Sequence, residues 1–181
     1  TNYDIRFLTK YAKQNLKDIK DPFEAADKAY YFYRNQMFNE MESNIVEGKS
    51  PWVSMPQVKF VDVFSTFLAE REVPHDIVIG VPRNLSSLDD LLIENEIAWF
   101  IRVKKGDQFR YYQPFDLTTI PGTIAALLEG TDAYVADGLA PQKKWSLKKI
   151  KLPTTTANEN QSKTDIRIDL SDFTKASLTL K

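Results

Sequence analysis

The single histidine of this chain, His75, stands beside Asp76, and no cysteine accompanies it. Without cysteine there are no disulfides, thiolate metal sites or thiol nucleophiles. A Ser-His-Asp triad would have to use His75, and one histidine cannot build a histidine-rich metal site. His75 and Asp76 together are the raw material of a general base. Neighbours on a strand, however, point to opposite faces, so His75 is expected to be a surface histidine. Carboxylates occur in pairs at Asp89/Asp90 and Glu94/Glu96. Such pairs can serve acid–base hydrolysis. Both lie in a polar stretch that reads as a solvated helix and turn.

The elements that must position these groups come from a chain of 181 residues, 43% hydrophobic and 27% charged. That is enough for one ordinary domain with a proper core and a small additional element. The formal net charge of −1 supplies no basic field for nucleic acid or an anionic membrane. No apolar run approaches the roughly 18–20 residues that span a bilayer. The opening stretch "TNYDIRFLTKYAKQ" has no apolar signal core. The chain has no initiator methionine and stops inside the strand-like "KASLTLK", so it is expected to be a segment of a longer protein.

Helices come first. "YDIRFLTKYAKQNLKDI" spaces Ile5, Leu8, Ala12, Leu16 and Ile19 for one helical face. Asp21 and Pro22 form an N-cap and first helical position, with Glu24 completing a capping box. The helix they start is expected to reach about Phe38. Its Tyr30, Tyr31, Tyr33 and Phe38 read as core. "ESNIVEGKSPWVSMPQ" reads as a loop. In "PQVKFVDVFSTFLAERE", Val58, Val61, Val63, Phe64, Phe67 and Leu68 cover more than half the circumference, which marks a central helix buried on most sides.

Strand signals follow. They are "DIVIGVP", then a hairpin in "EIAWFIRVKKGDQFRYYQPFD" around Lys105-Gly106-Asp107, and later "KKWSLKKIKLP". "LSSLDDLLIENE" reads as a brief helix or turn. "TIPGTIAALLEG" predicts one more short helix stopped by Gly130. Helices followed by antiparallel strands define an α+β domain. Residues 154–164, "TTTANENQSKT", read as a linker, and "DIRIDL" and "ASLTLK" alternate as strands beyond it. A lone hairpin is marginal in water, so these strands either dock on the main domain or, as the favoured expectation, open a C-terminal β-rich domain. Asn84-Leu-Ser86 and Asn160-Gln-Ser162 match the glycosylation sequon, which matters only in a eukaryotic secretory route.

The order of central helix, "VPH" strand, "IAW" strand and "YYQPFD" strand resembles the transglutaminase-like core that is shared with papain-type cysteine hydrolases. In that family a pattern "C-x-D-x-A-x-L-x-x-x-L-L-R-x-x-G-I-P-A" opens on the nucleophile, and "QVKFVDVFSTFLAEREVPHDIVIGV" fits it without gaps. Glu72-Val73-Pro74 matches "G-I-P" with the glycine missing. "IAWFIRV" matches the strand "H-A-W-V-E-V", and "YYQPFD" matches "W-Y-x-L-D-P". The match covers roughly residues 3–153 and is carried by pattern and order more than by identities. The layout is similar to bacterial multidomain proteins in which β-rich domains of unknown function flank such a core.

The resemblance implies a transglutaminase-like domain over residues 1–153, with 154–181 a linker and the start of a β-rich domain. It places Gln57 at the nucleophile position, Ile97 at the base position and Asp116 at the orienting position. An amide cannot attack a carbonyl and isoleucine cannot take a proton, so the triad is degenerate. The implied protein is a catalytically inactive, binding or structural module of a larger, exported bacterial protein of the periplasm or cell surface, with no cofactor. Trp52, Gln57, Trp99 and Asp116 are the candidate lining of the old cleft, where a peptide, protein or glycan would bind; as a plainer reading, the two tryptophans are core. The flanking β domains of the same polypeptide are its other expected partners. Two rival functions remain: a hydrolase acting on peptide or glycan through a non-cysteine site or residues outside this chain, and a docking domain that completes another chain's active site.

Overall fold

The computed structural model describes residues 3–46, 56–90, 97–114 and 120–156. Among these residues three α-helices precede a sheet: α1 (Tyr3–Asn15), α2 (Pro22–Val46) and α3 (Gln57–Glu70). Five antiparallel strands follow: β1 (His75–Gly80), β2 (Ala98–Lys105), β3 (Gln108–Tyr112), β4 (Asp132–Asp137) and β5 (Lys148–Lys151). Their spatial order is β3-β2-β1-β4-β5. The class is α+β, as the sequence pattern implies.

The α2 start forms as its sequence dictates. Asp21 Oδ1 accepts the N–H groups of Phe23 (2.9 Å) and Glu24 (3.2 Å), two donors that the helix itself cannot satisfy. Glu24 turns to Lys28 one turn on instead of closing a capping box. The helix runs to Val46, eight residues beyond the expected end near Phe38, so the front of the expected loop is helical. The rest of that loop lies outside the described residues.

α2 and α3 lie against the sheet, and α1 packs on both helices. One continuous core fills the helical side, from Leu8 and Leu16 through Tyr30, Phe60, Phe64 and Phe67 to Ile77, Ile101, Val103 and Tyr112. Strand alternation sends Val78, Phe100, Tyr111 and Val135 to a smaller cluster on the opposite face, with Leu128 and Leu152. α3 is buried along most of its length, but Val58 at its start is 60% exposed.

The β2–β3 hairpin turns where expected. Lys105 pairs with Gln108, and Gly106 takes a positive φ of 57° at the first loop position, as a II′ turn requires.

Other elements depart from the sequence pattern. β4 has no clear strand signal in the sequence, because "DAYVAD" has small side chains and a weak alternation. The helix expected in "TIPGTIAALLEG" is absent over residues 120–130, which form successive turns such as Leu128 N–H to Ala125 C=O. Too few residues separate Pro121-Gly122 from Gly130 to support a stable helix. Arg83 from the β1 side instead donates to the carbonyls of Ala126 and Glu129, pinning the segment over the second cluster. The expected strand in "KKWSLKKIKLP" shrinks to β5, preceded by a 3-10 turn at Gln142–Lys144. The strands expected beyond residue 156 lie outside the described residues.

Candidate functional site

Gln57 is the first residue of α3 and is exposed. Its side-chain Oε1 accepts the backbone N–H of Trp99 at 2.8 Å, across 42 positions of sequence. The N-terminal end of the central helix therefore meets the beginning of β2. Pro56 caps α3 without a side-chain hydrogen bond. Ile97 is half-buried one residue ahead of β2, two before Trp99 and so in step with the side chains that face α3. Trp99 is half-buried and packs on the helical-side core, which agrees with its plainer reading. Gln57 and the start of β2 are thus brought together. Trp52 and Asp116 lie outside the described residues.

At its other end α3 stops in a Schellman motif. Val73 N–H reaches Leu68 C=O (2.9 Å), and Glu72 N–H reaches Ala69 C=O (3.0 Å). Glu72 occupies the left-handed position with φ 55°, and among the described residues no other non-glycine residue has a positive φ. Glutamate sits here in a conformation that glycine adopts without steric cost.

His75 is not a surface residue: it is 0% exposed. The expectation failed because β1 carries it on the same face as Ile77, under α3, while Asp76 goes to the opposite face. Its Nδ1 meets the Val73 carbonyl at 2.8 Å, so Nδ1 carries the proton and donates. Nε2 then accepts the Ser65 hydroxyl of α3 at 2.7 Å. A Cβ at Gly138 would lie 2.1 Å from Nε2, so only glycine lets the backbone close over the ring. Burial pushes the imidazole below its usual pKa, opposed by the Val73 bond and by the charges of Asp137 and Asp76.

The hydroxyl-to-imidazole direction is that of a nucleophile and its base. A carbonyl replaces the orienting carboxylate, however, and Ser65 is only 7% exposed in the core. The pair ties α3 to β1 and satisfies two polar groups that would otherwise be costly to bury. One sequence signal could have revealed it: Ser65 is a small polar residue on an otherwise apolar helix face.

Asp76 is buried on the far face and bonds Arg102 Nε (3.0 Å) and Lys104 Nζ (2.9 Å) from β2. Arg102 in turn lies 4.2 Å from the centroid of the Phe109 ring. The paired carboxylates do not converge. Asp89 is held by Lys149, and Asp90 accepts from Ser87. Glu94 and Glu96 are outside the described residues. Among the described residues no three His, Asp or Glu side chains are grouped to hold a metal ion, and no helix is long and apolar enough to cross a membrane. No family model, curated protein or solved structure gives a significant match to the chain.

Proposed function

We propose that this chain is a non-catalytic, transglutaminase-like module that serves as a binding or structural domain of a larger bacterial protein of the periplasm or cell surface. The observation that carries it is the Gln57–Trp99 hydrogen bond. Pattern resemblance alone aligns Gln57 with a nucleophile at a helix start and Ile97 with a base at a strand start. α3 delivers Gln57 to that strand start, as the alignment requires. Register is supported at the far end of the same helix, where Glu72 holds a glycine-like φ at the position of the family's glycine. The two aligned side chains are an amide and a hydrocarbon, which keep the shape of such a site and none of its proton transfer or nucleophilic attack.

Restoring the missing groups tests this. In Gln57→Cys the helix N-terminus favours the thiolate by roughly 0.3–1 kcal/mol. Alkylation should then be only modestly faster than for a free thiol. Adding Ile97→His places an imidazolium beside the sulfur, which commonly lowers a pKa by about one to three units. The double variant should therefore keep reacting at lower pH than the single one. Coincident alkylation profiles in folded protein would show that positions 57 and 97 are not partners, and the proposal would fall. The unaltered chain is expected to turn over no peptide or γ-glutamyl substrate.

A further inference from the structure

Between the first turns of α2 and the β2–β3 hairpin runs a groove of about 520 Å³, and none of its lining residues belongs to the Gln57–Trp99 junction. Phe23, Asp27 and Tyr31 recur every four residues along α2 and share the face that forms one wall. Lys105 and Arg110 of the hairpin form the other. Asp27 is anchored twice: Tyr112, a buried phenol that burial and Asp27 keep protonated, donates to Oδ1 at 2.7 Å, and Arg110 pairs with Oδ2. Arg110 also stacks on Phe23, 5.0 Å from its centroid. Asp21 pairs with Lys105 and Glu24 with Lys28. Tyr31 is 42% exposed.

We infer that this groove binds a neutral, hydroxyl-rich ligand: a short stretch of glycan. Three carboxylates face three cations, and each has its partner within the protein. A charged ligand would have to displace one of those partners. A neutral hydroxyl displaces none, because Glu24 with one donor and Asp27 with two keep free lone pairs, and a guanidinium keeps free N–H groups. Bonds to ionised groups are stronger than neutral ones, and these groups are already fixed before the ligand arrives. The exposed Tyr31 ring offers an apolar face on which the C–H side of a sugar ring can lie. The volume falls within the range of small-ligand sites. This assignment stands apart from the transglutaminase-like proposal.

The test is a nitrogen-15 NMR titration of the folded chain with cellohexaose, chitohexaose and mannohexaose, beside short oligolysine and oligoglutamate peptides. At least one glycan should shift the amides of residues 21–31 and 105–110 at millimolar concentration or below. Tyr31→Ala should weaken that binding roughly three- to tenfold, while Tyr31→Phe, which keeps the ring, should retain it. Three results would each overturn the inference: no shift with any glycan, binding indifferent to Tyr31→Ala, or a response in the groove to the charged peptides alone.

Discussion

At Glu72 a side chain occupies backbone space suited to glycine. A left-handed L-residue costs roughly 1–2 kcal/mol, and the Schellman hydrogen bonds at the end of α3 hold it there. Glu72→Gly is therefore expected to stabilise the fold by about 1 kcal/mol, less the small entropic cost of glycine, read as a higher urea midpoint at unchanged m-value. His75 acts in the opposite sense. Its folded pKa lies below that of the unfolded chain, about 6.5. Above that pH both states are neutral and stability is at its full value. As pH falls from about 6.5 towards the folded pKa, the unfolded chain takes up a proton that the folded chain refuses, and stability declines. The urea midpoint should drop between about pH 7.5 and pH 5.5, and His75→Gln should flatten that dependence. The same slope in the variant would show that His75 is not its source.

Among the elements, those written by local periodicity were legible in the sequence and those made by tertiary contact were not. α1 and α3 announce themselves through apolar spacing, α2 through the Asp21-Pro22 start, and the β2–β3 hairpin through alternation around Lys105-Gly106-Asp107. β4 was hidden because Ala133 and Ala136 carry no strand signature and are recruited by pairing with β1. The 120–130 turns carry no local signature of their own, because Arg83, more than forty positions away, holds the carbonyls of Ala126 and Glu129. At the candidate site, only the family resemblance, and no local signal, suggested that Gln57 meets the start of β2, where it bonds Trp99. The Ser65–His75 bond stayed invisible, since neither residue signals the other along the chain. On the far face of the sheet Asp76 stands opposite Arg102 in the β1–β2 register. With the Arg102 side chain only 11% exposed, Asp76→Ala leaves a shielded cation without its carboxylate. A loss of about 3 kcal/mol is expected, measured by urea unfolding.

Among the described residues the molecule is asymmetric about its sheet. One face is sealed by helices and a long aromatic core, the other by irregular turns over a handful of apolar side chains. Local opening should therefore be cheaper on the second face. Arg83→Ala, which frees the carbonyls of Ala126 and Glu129, is expected to accelerate amide exchange at Leu128 and Gly130 while leaving Phe64–Leu68 of α3 unchanged. Equal acceleration in α3 would mean the two faces open as one unit. The rim of the sheet has its own consequence. Among the described residues β5 lies at an edge of the sheet, and its sequence "KKIK" leaves Lys148, Lys149 and Lys151 exposed. An antiparallel copy docking there would set ammonium against ammonium along the new seam. Self-assembly through backbone pairing is discouraged by repulsion, so this edge strand is a poor seed for a fibre.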